Sequence, residues 1–362
     1  MALITIKNFT RKYSTRYVVK DFSLEIANGE FTVLTGMKES GKTTILRAIC
    51  GLDTVDQGEI YVDGNLVNKL EPKDRNMALI NKDTPLDLNA SVFENIGKGM
   101  KLRKFPKEEI EARTKKAIDL LGLTDYANRL TKNLTPGQKY RVLLARAISR
   151  EPKIVIIDDI LKDVEQGLRR ELRNEIVKLN KRLKINFIYA TDNAVEALSM
   201  ADKIAFLEEG VLTQYDTPQN IYNTPKTLPI ATFFGNPKIN LLQSNFIEED
   251  GKLYATAEGF KIFLNVALPK EVKEKYVDKK RKVTLAFRPE DITCDDNGEL
   301  TVLVDQCDQY GENFVSIVCS QEAEEPTYLS VCKQLEVQSV VKLAIDKKHL
   351  LCYDTESEML LF

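Results

Sequence analysis

Histidine is nearly missing from this chain: there is one, His349, in 362 residues. Six cysteines lie singly, five of them from Cys294 onward, and no two form a C-x-x-C pair. A zinc centre, a Ser or Cys nucleophile with its imidazole and a paired-carboxylate glycosidase site therefore find no support. The cysteines read as reduced thiols packed in a β-rich core, with a redox role for the C-terminal ones as the alternative. His349 reads as an exposed residue in a strand-linking turn. An excess of one charge is also missing, since 52 Lys plus Arg meet 54 Asp plus Glu. Binding to nucleic acid or an anionic membrane surface is not the default. Nor is there a run of about 18 apolar residues to cross a bilayer, or an apolar signal-peptide core in "MALITIKNFTRKYS", so a cytosolic location is expected.

What is present is enough for about two domains: 43% of residues are hydrophobic, with 17 Gly and 12 Pro. Strand and helix signals alternate over the first two-thirds. "EFTVLTG" reads as a buried strand, and "KTTILRAICGL" as a helix with Ile45, Ile49 and Leu52 on one face, closed by Gly51. "GEIYVDG" is a short strand, and "PKEEIEARTKKAIDLLGL" an amphipathic helix with Pro106 in its first turn and Gly122 at its end. The strand "KIVIIDD", the helix "LRRELRNEIVKLNKRL", the strand "NFIYAT" and the hairpin "KIAFLEEGVLTQYD" follow. Such alternation implies a mostly parallel sheet covered by helices. After about Gly235 short strands separated by polar turns take over, and "GNPKINLL" is the junction to a small β-barrel or sandwich.

Between the first strand and helix lies "GMKESGKTT", Gly36 to Thr44, which fits G-x-x-x-x-G-K-[ST]. In such a loop backbone N–H groups and the helix N-terminus cradle phosphates. Lys42 reaches the β and γ phosphates, and Thr43 gives its hydroxyl to Mg²⁺. The later strand end "IVIIDD" supplies Asp158 as the second metal ligand.

"NLTPGQKYRVLLARAISREPKIVIIDD" puts a Gly-Gln turn, a helix and that acidic strand in succession, and resembles the signature region of ATP-binding cassette (ABC) ATPases. "GLDTVDQGEIYVDG", "EPKDRNMALI", "MADKIAFLEEG", "DTPQNIYNTP", "FFGNPKINLL" and "LAFRPEDI" extend the resemblance to the ATPase subunits of maltose-type sugar importers, over nearly the whole chain. The resemblance implies an α/β P-loop NTPase, an ABC nucleotide-binding domain over 1–235 with a helical subdomain at about 85–150. A small all-β, OB-like regulatory and dimerisation domain would follow over 236–362. ATP and Mg²⁺ are the implied cofactors, with permease membrane subunits and a second ABC ATPase chain as partners. The place would be cytoplasmic, peripheral on the inner face of the cell membrane.

Carried over residue by residue, the resemblance assigns phosphate contacts to Gly36, Met37, Lys38, Glu39, Ser40, Gly41, Lys42, Thr43 and Thr44, although the family usually has Gly at Glu39. Tyr13 falls where an aromatic stacks on adenine; from the residues alone, an ordinary strand-end aromatic is an equal reading. Thr135, Pro136, Gly137 and Gln138 correspond to the signature, which contacts the nucleotide of the partner chain. The departures cluster at catalytic positions. Asp159 replaces the Glu that polarises water and is one methylene shorter. Lys82 replaces the Q-loop Gln, and Asp192 the switch His. A carboxylate facing a triphosphate at about 4 Å costs on the order of 1–4 kcal/mol, and Lys82 is the expected compensating charge.

A site that holds ATP and turns it over slowly, or one that has drifted, both fit these residues. Head-to-tail pairing with a fully equipped relative is favoured over a homodimer, and "LKDVEQG" departs from the family's SNLD. A sugar or related solute is the implied cargo, with polyamine and phosphate-ester importers as alternatives. A non-hydrolysing regulatory subunit is the second function class, and a soluble ABC protein acting on nucleic acid the third.

Overall fold

A computed structural model of the chain describes residues 3–81, 83–257, 260–264, 266, 268–310, 313–320 and 328–362. They divide into two units, Met1–Pro218 and Gln219–Phe362.

In the first unit an antiparallel hairpin of β1 (Ile4–Tyr13) and β2 (Arg16–Ile26) precedes β3 (Phe31–Gly36) and α1 (Lys42–Cys50). There follow β4 (Gln57–Val62), β5 (Asn65–Leu66), β6 (Met77–Asn81) and three helices, α2 (Val92–Leu102), α3 (Lys107–Leu120) and α4 (Pro136–Ile148), which pack on one another. The chain then returns through β7 (Ile154–Asp158), α5 (Gln166–Leu183), β8 (Asn186–Ala190), α6 (Ala194–Met200), β9 (Lys203–Glu208) and β10 (Val211–Asp216).

The central sheet runs β10-β9-β3-β8-β7-β6, parallel except for β10, and β2-β1-β4-β5 form a second, antiparallel sheet. Every residue of β3 and β8 is buried, as is Ile154–Ile157 of β7. Strands covered on both faces read as unbroken apolar runs, which is why these segments were legible as parallel strands. On α5, Leu172, Ile176 and Leu179 recur at helical spacing and are buried. Ile45 and Ile49 of α1 are buried as expected, but Leu52 is 45% exposed, because Gly51 at φ 75° turns the chain off the helix before it.

The second unit carries two five-stranded antiparallel sheets. One orders Phe260–Leu264, Lys252–Ala257, Asn240–Glu249, Val283–Phe287 and Leu351–Asp354; the other Ile292–Cys294, Val340–Ile345, Leu300–Tyr310, Asn313–Ser320 and Tyr328–Val331. Their facing sides bury Phe246, Leu285, Phe287, Val302, Val318 and Leu343. The division at Pro218 falls earlier than the junction read at Gly235, and the reason is local bonding. Arg288, 5% exposed, donates to the carbonyls of Tyr222 and Phe234, and the Tyr353 hydroxyl to that of Pro225. Thr227 bridges Met359 as well. Segment 219–234 is therefore fastened to the β unit. The six cysteines are free thiols, but only Cys50, Cys319 and Cys352 are buried and Cys332 is exposed, so core packing accounts for half of them. His349 is exposed in a turn, with Nδ1 2.9 Å from Asp291 Oδ1.

Candidate functional site

The loop between β3 and α1 sits at the carboxyl end of a central parallel strand, where open α/β sheets place their ligands. Gly36 has φ 136°, and a Cβ there would lie 2.1 Å from the carbonyl oxygen of Leu207 on β9, so only glycine lets the loop leave the strand. Gly41, at φ 93°, opens α1 without any side-chain cap. The contrast with other helices is chemical: Ser91 with Glu94 on α2, and Thr135 with Gln138 on α4, close complete capping boxes. Among the described residues, the first-turn amides of α1 thus have no side-chain cap and, with the helix dipole, favour an anion.

Met37, Lys38 and Glu39 are exposed along the loop, while Ser40 and Thr44 are buried. Lys42 Nζ donates to the carbonyls of Gly36 at 2.9 Å and Met37 at 2.8 Å, and to Ser40 Oγ at 3.1 Å. Burial pushes its ammonium below the usual lysine range, against the pull of Asp192, Asp159 and Asp158. Thr43 Oγ1 donates to Asp158 Oδ1 at 3.2 Å, so the two oxygens expected to hold Mg²⁺ are neighbours. An oxygen-only donor pair suits that hard cation.

Asp159, next along the chain, adopts a left-handed backbone at φ 50°, with its amide donating to Ala190 O at 3.0 Å. Asp tolerates this region better than a longer side chain because its short carboxylate bonds locally. Lys162 Nζ stands 3.0 Å from Asp192 Oδ2 and 3.4 Å from Asp159 Oδ2. The unequal distances set the two carboxyls apart. Burial and the neighbouring Asp192 raise the Asp159 pKa, with Lys162 too far to offset them. At Asp192 burial also acts upward, but the closer Lys162 outweighs it and holds the group below the carboxylate range. The charge facing Asp192 is thus Lys162; Lys82, for which that role was expected, lies outside the described residues.

Glu196 fixes the base of the Asp192 loop. It is 1% exposed and accepts hydroxyl bonds from Tyr189 and Thr191, both at 2.7 Å. On β1, Tyr13 is 44% exposed, with its hydroxyl on Asp53 and the Arg11 guanidinium over its ring. Sequence reasoning passed over Lys162, Glu196, Arg11 and Asp53. The only signal was the departure of the stretch that contains Lys162.

Thr135, Pro136, Gly137 and Gln138 open α4, away in sequence and on a different element from the P-loop. Gln138 N bonds Thr135 Oγ1 at 3.3 Å and Thr135 N bonds Gln138 Oε1 at 3.0 Å, while Pro136 occupies N1, where a missing N–H costs the helix nothing. A Cβ on Gly137 would come within 2.9 Å of Leu168 on α5. The turn keeps the backbone shape that its residues imply.

Comparison with known proteins agrees with this geometry. Residues 19–162 match the family model described as ABC transporter. The chain is 38% identical to the osmoprotective compounds uptake ATP-binding protein GgtA of Synechocystis sp., over 81% of this chain and 78% of that protein. It is 32% identical to the oligosaccharides import ATP-binding protein MsmX of Bacillus subtilis, over 99% of each. To the sn-glycerol-3-phosphate import ATP-binding protein UgpC of Yersinia enterocolitica it is 36% identical, over 81% of this chain and 79% of that one. Among solved structures, cbiO1 of Clostridium perfringens, part of an ABC transporter complex, superposes with a TM-score of 0.57 at 24% identity, covering 60% of this chain and 89% of that one. The nucleotide-binding fold is that of the P-loop NTPases, a unit built on two antiparallel β-sheets follows it, and the chain belongs to the ATP-binding subunits of ABC transporters.

Proposed function

We propose that this chain is the energy-coupling subunit of an importer for a sugar or related solute, and that its own P-loop site binds MgATP but turns it over slowly. The uncapped start of α1 behind Gly36 and Gly41, with Lys42 and the Thr43–Asp158 pair at its mouth, is the observation that carries nucleotide binding. Mg²⁺ at that pair supplies positive charge to the phosphate oxygens. The relatives' names support import of a polar organic solute.

Binding closes a pair of chains, the closure moves permease subunits, and hydrolysis resets it. The second unit acts as an OB-like regulatory and dimerisation domain. Such a subunit works peripherally at the cytoplasmic face of the membrane, and among the described residues no helix is long and apolar enough to cross it.

Slow turnover follows from the carboxylates. Asp159 is short, shares Lys162 with Asp192, and position 192, where the resemblance implies a His, carries that Asp. The intact turn at Thr135–Gln138 favours a heterodimer, in which this chain lends its signature to a fully equipped partner and keeps its own site as a clamp. A homodimer carries two altered sites. With no turnover at all, the chain is a regulatory nucleotide-binding subunit.

The test is MgATP binding and single-turnover hydrolysis by the full chain, beside Lys42→Ala and the triple variant Asp159→Glu, Asp192→His, Lys82→Gln. Tight binding lost in Lys42→Ala, with slow turnover that the triple variant raises, supports the proposal. Family-like turnover by the unaltered chain refutes the slow site, and absence of nucleotide binding refutes the whole reading.

A further inference from the structure

Two loops meet at the mouth of the nucleotide site, and both hang from one contact. Arg169 on α5 donates through Nη2 to the carbonyl of Lys162 at 2.6 Å, and its Nε lies 3.9 Å from Glu196 Oε1. Glu196 in turn anchors Thr191, the residue before Asp192. The Lys162 turn is also pinned by the buried Leu161 before it and Val164 after it, with Val164 N bonding Leu161 O at 3.1 Å. The backbone of Lys162 is therefore held, whereas its side chain is 48% exposed and keeps its ammonium solvated.

Around this point, among the described residues, two ammonium groups, Lys42 and Lys162, meet three carboxylates, Asp158, Asp159 and Asp192. All three carboxylates and Lys162 lie within electrostatic reach of Lys42. Glu196 adds a fourth negative group behind Asp159. Among the described residues, the other lysine within reach of these carboxylates is Lys42, already bonded to loop carbonyls. A triphosphate adds its largest negative charge at its terminal group, so the cost of unmatched carboxylates falls most heavily on ATP and less on ADP.

We infer that Lys162 is a positioning residue of this site: its ammonium holds Asp192, and secondarily Asp159, so that the mouth of the P-loop accepts a terminal phosphate. The inference rests on the nucleotide-binding reading above. It assigns to Lys162 the compensating role expected of Lys82, which lies outside the described residues, and gives one residue of the altered stretch "LKDVEQG" a function in its own chain.

The experiment is calorimetric titration of the full-length protein with MgATP and with MgADP, for the wild type, Lys162→Met, Lys162→Arg, Lys162→Met with Asp192→Asn, and Lys42→Ala. Lys162→Met is expected to weaken MgATP by about tenfold while MgADP changes by less than about threefold. Lys162→Arg keeps the charge and both affinities. Removing the facing carboxylate in the double variant brings MgATP back to within about threefold of wild type. Unchanged MgATP affinity in Lys162→Met, equal losses for both nucleotides, or no recovery in the double variant would overturn the inference while leaving nucleotide binding intact. A wild type that binds neither nucleotide overturns both this inference and the reading beneath it. Thermal melting of each variant identifies a loss caused by unfolding, and Lys162→Arg then decides: weak MgATP binding in that folded variant counts against the inference.

Discussion

The Arg11 guanidinium lies over the Tyr13 ring, 4.5 Å from its centroid, and the Tyr13 hydroxyl donates to Asp53, which also pairs with Arg11 at 2.9 Å. One face and the edge of the ring are thus fixed, and the ring remains 44% exposed. A clamped aromatic with an open face is a stacking platform that has already lost its rotamer freedom. Tyr13→Ala should weaken ATP binding by about 1–3 kcal/mol and leave inorganic tripolyphosphate binding unchanged. Tyr13→Phe should lose less. Equal ATP affinity in wild type and Tyr13→Ala would make Tyr13 an ordinary strand-end aromatic.

Glu39 holds a left-handed backbone at φ 63° within the P-loop, at a position where glycine meets no such penalty. Its carboxylate is 82% exposed and 4.0 Å from an equally exposed Arg16, a pair that adds little. Glu39→Gly should therefore raise stability by about 0.5–1 kcal/mol and, by removing a negative charge beside the phosphate loop, tighten MgATP binding. Thermal unfolding and nucleotide titration measure the two effects. A lower melting temperature would show that the loop has adapted to the longer side chain.

How much of this was readable beforehand depends on where each signal resides. β3, β7 and β8 are legible because burial on both faces leaves unbroken apolar runs. β1 is harder: register shifts after Ile6, Phe9 and Arg11 break the period of two, and the alternation was picked up only at β3. α2 contains Gly97 and Gly99, which weaken its helix signal, and depends on the Ser91–Glu94 box and on packing against α3 and α4. At the candidate site, Lys42, Thr43 and Asp158 could be named from motif spacing, and the structure brings Thr43 and Asp158 together. Lys162 could not, because its meaning comes from a through-space meeting with a carboxylate thirty residues away.

Asp354 gives the second unit a dependence on pH. Its side chain is 2% exposed, and burial alone would raise its pKa. The Tyr276 hydroxyl at 2.6 Å, the Ser357 amide and hydroxyl, and Arg281 together hold it far below the usual carboxylate range. A pKa lower in the folded than in the unfolded chain contributes stability that is complete above the unfolded value of about 3.9 and is lost as pH falls through the folded value. Urea unfolding followed by circular dichroism should show the second unit weakening below about pH 4. Asp354→Asn should cost about 3 kcal/mol at neutral pH and flatten that acid dependence. An acid limb of the same size in the variant would assign it to other carboxylates.

Arg288 is one of the residues that tie 219–234 to the second unit. Its guanidinium stands 3.4 Å from the centroid of the Tyr222 ring and donates to Tyr222 O at 2.8 Å, as well as to Phe234 O. Methionine at this position keeps much of the stem's volume but removes a 5% exposed charge and its bonds to the two carbonyls, at a cost of about 2–5 kcal/mol. Arg288→Met should lower the melting temperature of the second unit and expose 219–234 to limited proteolysis under conditions that leave the wild type intact. If that segment were instead the tail of the first unit, as a boundary at Gly235 implies, its cleavage would not respond to the substitution. Mass-spectrometric mapping of the first cut therefore separates the two boundaries, and a first cut in 219–234 confined to the variant places this segment with the β unit.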